Sequence, residues 1–261
     1  MPHPPNERQD DSTSSALPLR NVTRGRLTAF VALGLFGYYV LPDLTFPNWF
    51  SDWAQLRCDG AVSEDQLGWC TTNEFDLTIA ETLVLAPRMT GYLSHVFTFA
   101  ACPGLALWSL SEVQPAHAWE NRAAFVGTNL VSATLNIHAK RMFRRQRPCF
   151  HFGREASTQA ADLAGWQQWV SFYSGDTAMA FSFVSTGVAL TAARGRASQA
   201  RDLARVGGCL AAIGSVLRIV ADMHWGTDVL VGCFMGCTVG GGLPTLLFRV
   251  AGADDRRTNK P

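Results

Sequence analysis

The sequence predicts an all-α, polytopic membrane protein with about six transmembrane helices in a bundle and a site that faces outward. Long windows of the 261-residue chain carry no charge, although charged residues make up 16% of the whole. Those windows approach the roughly 20 residues that a helix needs to cross the hydrocarbon core. One segment aside, the arginines cluster at the window ends and fall on one side, as the positive-inside rule requires of a chain threading a bilayer. A mean hydropathy of +0.06 hides this segregation, because polar ends and loops offset the apolar windows.

Each element follows in order. Residues 1–25 are polar and rich in Pro, Ser, Asp and Asn, and they read as a disordered cytoplasmic tail. No small-residue cleavage site follows the first apolar run, which argues against a signal peptide. The first span covers residues 27–41, between Arg20, Arg24, Arg26 and Pro42. It is short enough to require local thinning of the bilayer. Residues 43–77 form a polar, acidic loop whose Phe46, Trp49, Phe50 and Trp53 suit the membrane interface. Residues 76–87 are amphipathic and continue along that interface.

Residues 89–110 and 123–138 give the second and third spans, on either side of a turn at Pro115. An Arg-rich segment, residues 140–173, stands outside the apolar windows. Residues 177–193, 206–220 and 228–248 give the fourth, fifth and sixth. The membrane domain is therefore residues 26–250, and residues 251–261 form a second cytoplasmic tail.

Orientation follows from arginine in the short loops. The N-terminal flank, the loop with Arg194, Arg196, Arg201 and Arg205, and the tail with Arg249, Arg256 and Arg257 alternate onto one side, which is therefore cytoplasmic. Both termini lie there. The acidic loop lies opposite, and its Cys58 and Cys70 are a possible disulfide in an oxidising compartment. A bridge over that loop would contribute on the order of 3 kcal/mol. The seven cysteines show no C-x-x-C metal spacing. Cys102, Cys209, Cys233 and Cys237 lie in apolar windows and read as small buried hydrophobes.

One segment breaks the charge pattern. Lys140, Arg141, Arg144, Arg145 and Arg147 form the densest basic cluster, yet the alternation puts them on the outer side. They are either a solvated basic loop or charges held for an anionic ligand. Two further segments at outer ends of spans favour the ligand. Ser174-Gly175-Asp176-Thr177 opens the fourth span, and Arg218-x5-His224-x3-Asp228 bridges the fifth and sixth.

These residue types complement one another chemically. Lys140 offers a point charge, while Arg147 and Arg218 offer planar forks that match phosphate oxygens. Ser174 and Gly175 precede a helix, so their N–H groups and the helix dipole favour an anion. His224 and Asp228 are four apart, which lets the carboxylate accept from one imidazole nitrogen and frees the other to attack. Together they make a phosphoryl-transfer site that needs no metal and no other cofactor.

The combination resembles the type-2 phosphatidic acid phosphatase superfamily, whose signature is K-x6-RP, then PSGH, then SR-x5-H-x3-D. The first motif is present as Lys140, Arg147 and Pro148. The third is present as Arg218, His224 and Asp228, continued by His224-Trp-Gly-Thr-Asp-Val-Leu-Val-Gly232. The resemblance extends over about residues 26–250. It implies that His224 becomes phosphohistidine, that Asp228 orients it, and that Lys140, Arg147, Arg218, Ser174 and Gly175 hold the phosphate. The implied partners are a phosphorylated lipid and the bilayer, with no nucleic acid.

The middle motif departs from the family. Tyr173, Leu217 and Asp176 stand where the family has proline, serine and histidine. That histidine protonates the leaving alcohol in the family. Asp176 is then a protonated acid in a desolvated mouth, an N-cap beside a substrate with a good leaving group, or the mark of a slow or inactive site. The activity implied is a lipid phosphatase acting on monoesters or diphosphates, with a lipid phosphotransferase and a catalytically impaired lipid-phosphate-binding protein as the alternatives.

Overall fold

The computed structural model describes residues 24–41, 44, 73–85, 87–111, 118–162 and 165–258. The described residues are overwhelmingly helical, with no strand among them. Cys58 and Cys70 lie outside the described residues. The elements are α1 (Arg24–Tyr39), α2 (Glu74–Thr82), α3 (Pro87–Ser111), α4 (Ala118–Phe143), the short α5 (Pro148–His151), α6 (Gly175–Ala193), α7 (Ala197–Val220) and α8 (Gly226–Thr258). Three 3₁₀ turns between Glu155 and Trp169 carry the chain from α5 back to α6.

Three helices are long and apolar enough to cross a membrane: α3, α7, and α8 over Gly226–Leu247. The chain is an integral membrane protein. The other helices expected to span fall short of that measure for identifiable reasons. α1 has 16 residues. α4 buries Asn121, Asn129, Ser132 and Asn136, and α6 buries Ser182, Thr186 and Thr191. These polar side chains lower hydropathy because they face other helices rather than lipid.

Helix starts have local causes. Asn73 caps α2, its side chain accepting from the Asp76 backbone N–H at 2.8 Å, which satisfies one otherwise orphaned donor. Pro148 opens α5 directly after the extended Arg147, where a missing N–H costs nothing. Ser174 caps α6 and accepts from Thr177 N–H at 3.4 Å. α3 widens into a π-helical turn at Phe97–Ala101, a feature that shifts helix register and recurs at functional sites.

α6 runs through the middle of the bundle, packed by α8, α7, α4 and α3. Small residues bring the axes close. A Cβ on Gly232 would lie 2.7 Å from the Ser174 carbonyl, and one on Gly240 would lie 2.6 Å from the Ser182 carbonyl. Gly236, between them, abuts the Ala178 carbonyl in the same way. This four-residue glycine seam is the packing expected where lipid supplies no hydrophobic drive and van der Waals contact must hold the helices. Cys102 is buried, but Cys209 and Cys237 are exposed, which corrects the reading of all four cysteines as core. Apolar windows mark both core and lipid-facing positions, since both are apolar in a membrane.

Candidate active site

His224 sits in the turn between α7 and α8, and only 2% of it is exposed. Its Nδ1 is 2.9 Å from the Ser171 carbonyl oxygen. A carbonyl can only accept, so Nδ1 carries the hydrogen and Nε2 presents a lone pair. Nε2 lies 3.4 Å from Arg147 Nη1. Burial, and then the charges of Arg147, Arg218 and Lys140, push the imidazole down to about 3 against the pull of Asp228. The ring is neutral at physiological pH and nucleophilic on one defined nitrogen.

Asp228 does not make the direct contact that the sequence reading expects. Its Oδ2 is 3.8 Å from His224 Nδ1, beyond hydrogen-bond distance. That oxygen accepts instead from Ser171 Oγ at 2.5 Å and from the Trp225 N–H at 3.1 Å. Asp228 thus acts on His224 through Ser171, whose hydroxyl it holds while the carbonyl of the same residue holds the ring.

Arg145 secures the other side of Asp228. Its Nη1 donates to Asp228 Oδ1 at 2.7 Å and its Nη2 to Asp76 Oδ2 at 2.7 Å. Asp76, fully buried in the first turn of α2, also accepts from the Thr227 N–H at 2.8 Å and the Thr227 hydroxyl at 2.6 Å. α2 is therefore tied to the first turn of α8 by charge-assisted bonds, which are about twice as strong as neutral ones. Arg145 belongs to the basic cluster but serves these two carboxylates.

Arg147, Arg218 and Lys140 converge on the same place. Arg147 donates from Nε to the Gln167 carbonyl at 3.0 Å and from Nη1 to the Met223 carbonyl at 3.0 Å, which fixes its plane. Burial and the Arg218 charge push its guanidinium down to about 10, so it stays charged. Burial, then Arg147, bring the Lys140 ammonium down to about 8. Lys140 reaches the start of α6 because residue 175 is glycine: a Cβ there would lie 2.6 Å from Asn136 Oδ1 and 3.2 Å from Lys140 Nζ. Asn136 in turn donates to the Tyr173 carbonyl at 2.8 Å, and the Ser174 N–H to the Asp228 carbonyl at 3.0 Å.

Arg218 is held from three elements. Its Nη1 is 3.2 Å from Ser94 Oγ and 3.3 Å from Gln159 Oε1. The same nitrogen is 3.2 Å from His95 Nε2. Its Nε pairs with Asp176 Oδ2 at 2.8 Å, but off the line of a hydrogen bond, so this buried N–H has no acceptor among the described residues. Asp176 also lies 3.3 Å from His95 Nε2. The ion pair favours the charged carboxylate, so Asp176 accepts rather than donates a proton.

Residues 122–250 match the family model of the PAP2 superfamily. Over that stretch, just under half of the chain, the sequence is similar to the PAP2 superfamily. The match takes in Lys140, Arg147, Ser174, Gly175, Asp176, Arg218, His224 and Asp228 and leaves α1, α2 and α3 outside. Members of the PAP2 superfamily are generally phosphatases, which sets the activity at the level of phosphatase or phosphotransferase chemistry. No curated protein and no solved structure matches the chain.

The structure brings every described residue that the sequence reading proposed into one cluster. That reading misses four residues around them, Asp76, Ser94, His95 and Ser171, and it gives Arg145 an anionic ligand where the structure gives it Asp76 and Asp228. His95 had a visible signal, since an ionisable side chain inside an apolar window is a functional candidate by default. Asp76 and Ser171 carried none, because their partners lie 151 and 57 residues away in sequence.

Proposed function

We propose that the chain is an integral membrane phosphatase hydrolysing lipid phosphate monoesters or diphosphates through a phosphohistidine, without a metal. The observation that carries this reading is the His224 tautomer: a neutral ring, its Nδ1–H given to Ser171 O, its Nε2 beside Arg147. In this reading Lys140, Arg147 and Arg218 bind the phosphate oxygens, with the Gly175 N–H at the dipole end of α6; the Ser174 N–H, expected there from the sequence, is taken by the Asp228 carbonyl. Nε2 attacks phosphorus in line as the lipid oxygen leaves, and water then cleaves the N–P bond. Asp228 keeps the ring oriented by way of Ser171.

The membrane domain is residues 26–250, with six spans, both termini cytoplasmic and the site on the outer face. The wrong-side basic cluster supports this placement, since those arginines serve carboxylates and a phosphate cradle rather than topology.

Phosphate release from phosphatidate and from a lipid diphosphate, with the full chain in detergent and chelator, tests the reading. His224→Ala is expected to lower kcat by about 10³-fold or more, and an alkaline quench, which spares an N–P bond, should trap label on wild-type protein alone. Release that survives His224→Ala overturns the mechanism. Label passing between lipids without free phosphate identifies a phosphotransferase instead. Binding of phosphatidate without turnover identifies a binding protein.

A further inference from the structure

We propose that His95 is the proton donor to the leaving lipid oxygen, held by Asp176, in the position that the middle motif leaves without a donor. This assignment rests on the phosphatase reading above. Asp176 is paired with Arg218 and charged, so it cannot serve. His95 lies outside the stretch matched to the PAP2 superfamily and reaches the cluster from another helix.

Four observations converge on it. Its Nε2 is 3.3 Å from Asp176 Oδ2 and 3.2 Å from Arg218 Nη1, which places the ring at the edge of a guanidinium that still has an unsatisfied buried N–H. Its side chain is 44% exposed, so the ring is open at the surface of the bundle, as sealed His224 is not. Its Nδ1 has no hydrogen-bond partner among the described residues, which leaves a second ring nitrogen available. Phe99 meets the ring edge-on at 5.9 Å, and the preceding Ser94 bonds the same Arg218 nitrogen, so the ring is positioned rather than loose. The π-helical turn begins two residues later, at Phe97.

The step balances. As the His224 Nε2–P bond forms, the P–O bond to the lipid breaks and its electron pair stays on oxygen. The His95 imidazolium gives that oxygen a proton and becomes neutral, its ring held in place by the Asp176 carboxylate. In the second half-reaction water attacks phosphorus, the N–P pair returns to Nε2, and His95 takes up the proton of the water.

Leaving-group dependence tests the assignment. The full chain is assayed on an alkyl phosphate lipid and on an aryl phosphate of matched chain length, whose phenoxide needs little protonation. His95→Ala and His95→Gln are expected to lose about 10²-fold or more in kcat on the alkyl substrate and less than about fivefold on the aryl one. Retained aryl turnover shows that the variant is folded. Adding Asp176→His to His95→Ala is expected to recover at least about tenfold of the alkyl activity. Equal loss on both substrates in His95→Gln, or undiminished alkyl turnover, overturns the role of His95 while His224-dependent release still stands. Aryl turnover that does not depend on His224 overturns the phosphatase reading itself.

Discussion

His224 and His95 both lie beside a buried arginine, yet they are held in opposite ways. His224 is sealed, and a backbone carbonyl fixes its tautomer; His95 is half-open and meets only side chains, Asp176 and Arg218. A carbonyl cannot ionise or rotate away, so it suits a nucleophile that must stay neutral on one nitrogen. A carboxylate beside an open ring holds it without sealing it, which suits the donor role proposed for His95. The first environment is built within the stretch matched to the superfamily, and the second borrows from a helix before it.

The comparison breaks most severely at Arg145. Arg145→Met leaves Asp76 and Asp228 buried without their cation, a loss worth about 3–5 kcal/mol, and it should collapse the His224 side first. Thermal unfolding in detergent, read beside phosphate release, checks this. A variant with wild-type melting and wild-type turnover would show that Asp228 does not depend on the Arg145 bridge.

Gly175→Ala acts on the cradle between the two histidines. The new Cβ would meet Asn136 Oδ1 at 2.6 Å and crowd Lys140 Nζ at 3.2 Å. Overpacking of this kind costs about 1–3 kcal/mol. The expected result is a KM for phosphatidate raised about tenfold with a small change in melting. An unchanged KM would remove Lys140 from the phosphate site.

The smallest expected effect is in pH dependence. In the proposed site Lys140, lowered to about 8, would bind phosphate only while protonated, so kcat/KM on the aryl substrate, which spares His95, should fall about tenfold between pH 7 and 9 as the proton is lost. His224 adds no acid limb above about pH 3, because it is already neutral there. Lys140→Arg is expected to move the alkaline limb upward. A limb that stays in place would assign it to another group.

Much of this was legible in the sequence, for physical reasons that also set the limits. Apolar windows locate α3, α7 and α8 within a few residues, because burial in lipid demands an uncharged helix. Lys140 with Arg147, and Arg218 with His224 and Asp228, stand at short fixed spacings that local geometry can interpret. Arg145 looked like one more basic residue in a run, since nothing local reveals that Asp76 and Asp228 close on it. The Asp228 contact was misjudged for a related reason. Helical spacing brings Asp228 near His224, but it does not show that the Ser171 carbonyl takes the ring first.

The glycine seam between α6 and α8 has a consequence for traffic. With Gly232, Gly236 and Gly240 set directly against the Ser174, Ala178 and Ser182 carbonyls, no side chain can swing aside there to admit an acyl tail. That wall of the bundle is shut by backbone. Under the proposed function, a lipid tail entering between helices would pass along a different flank of the bundle.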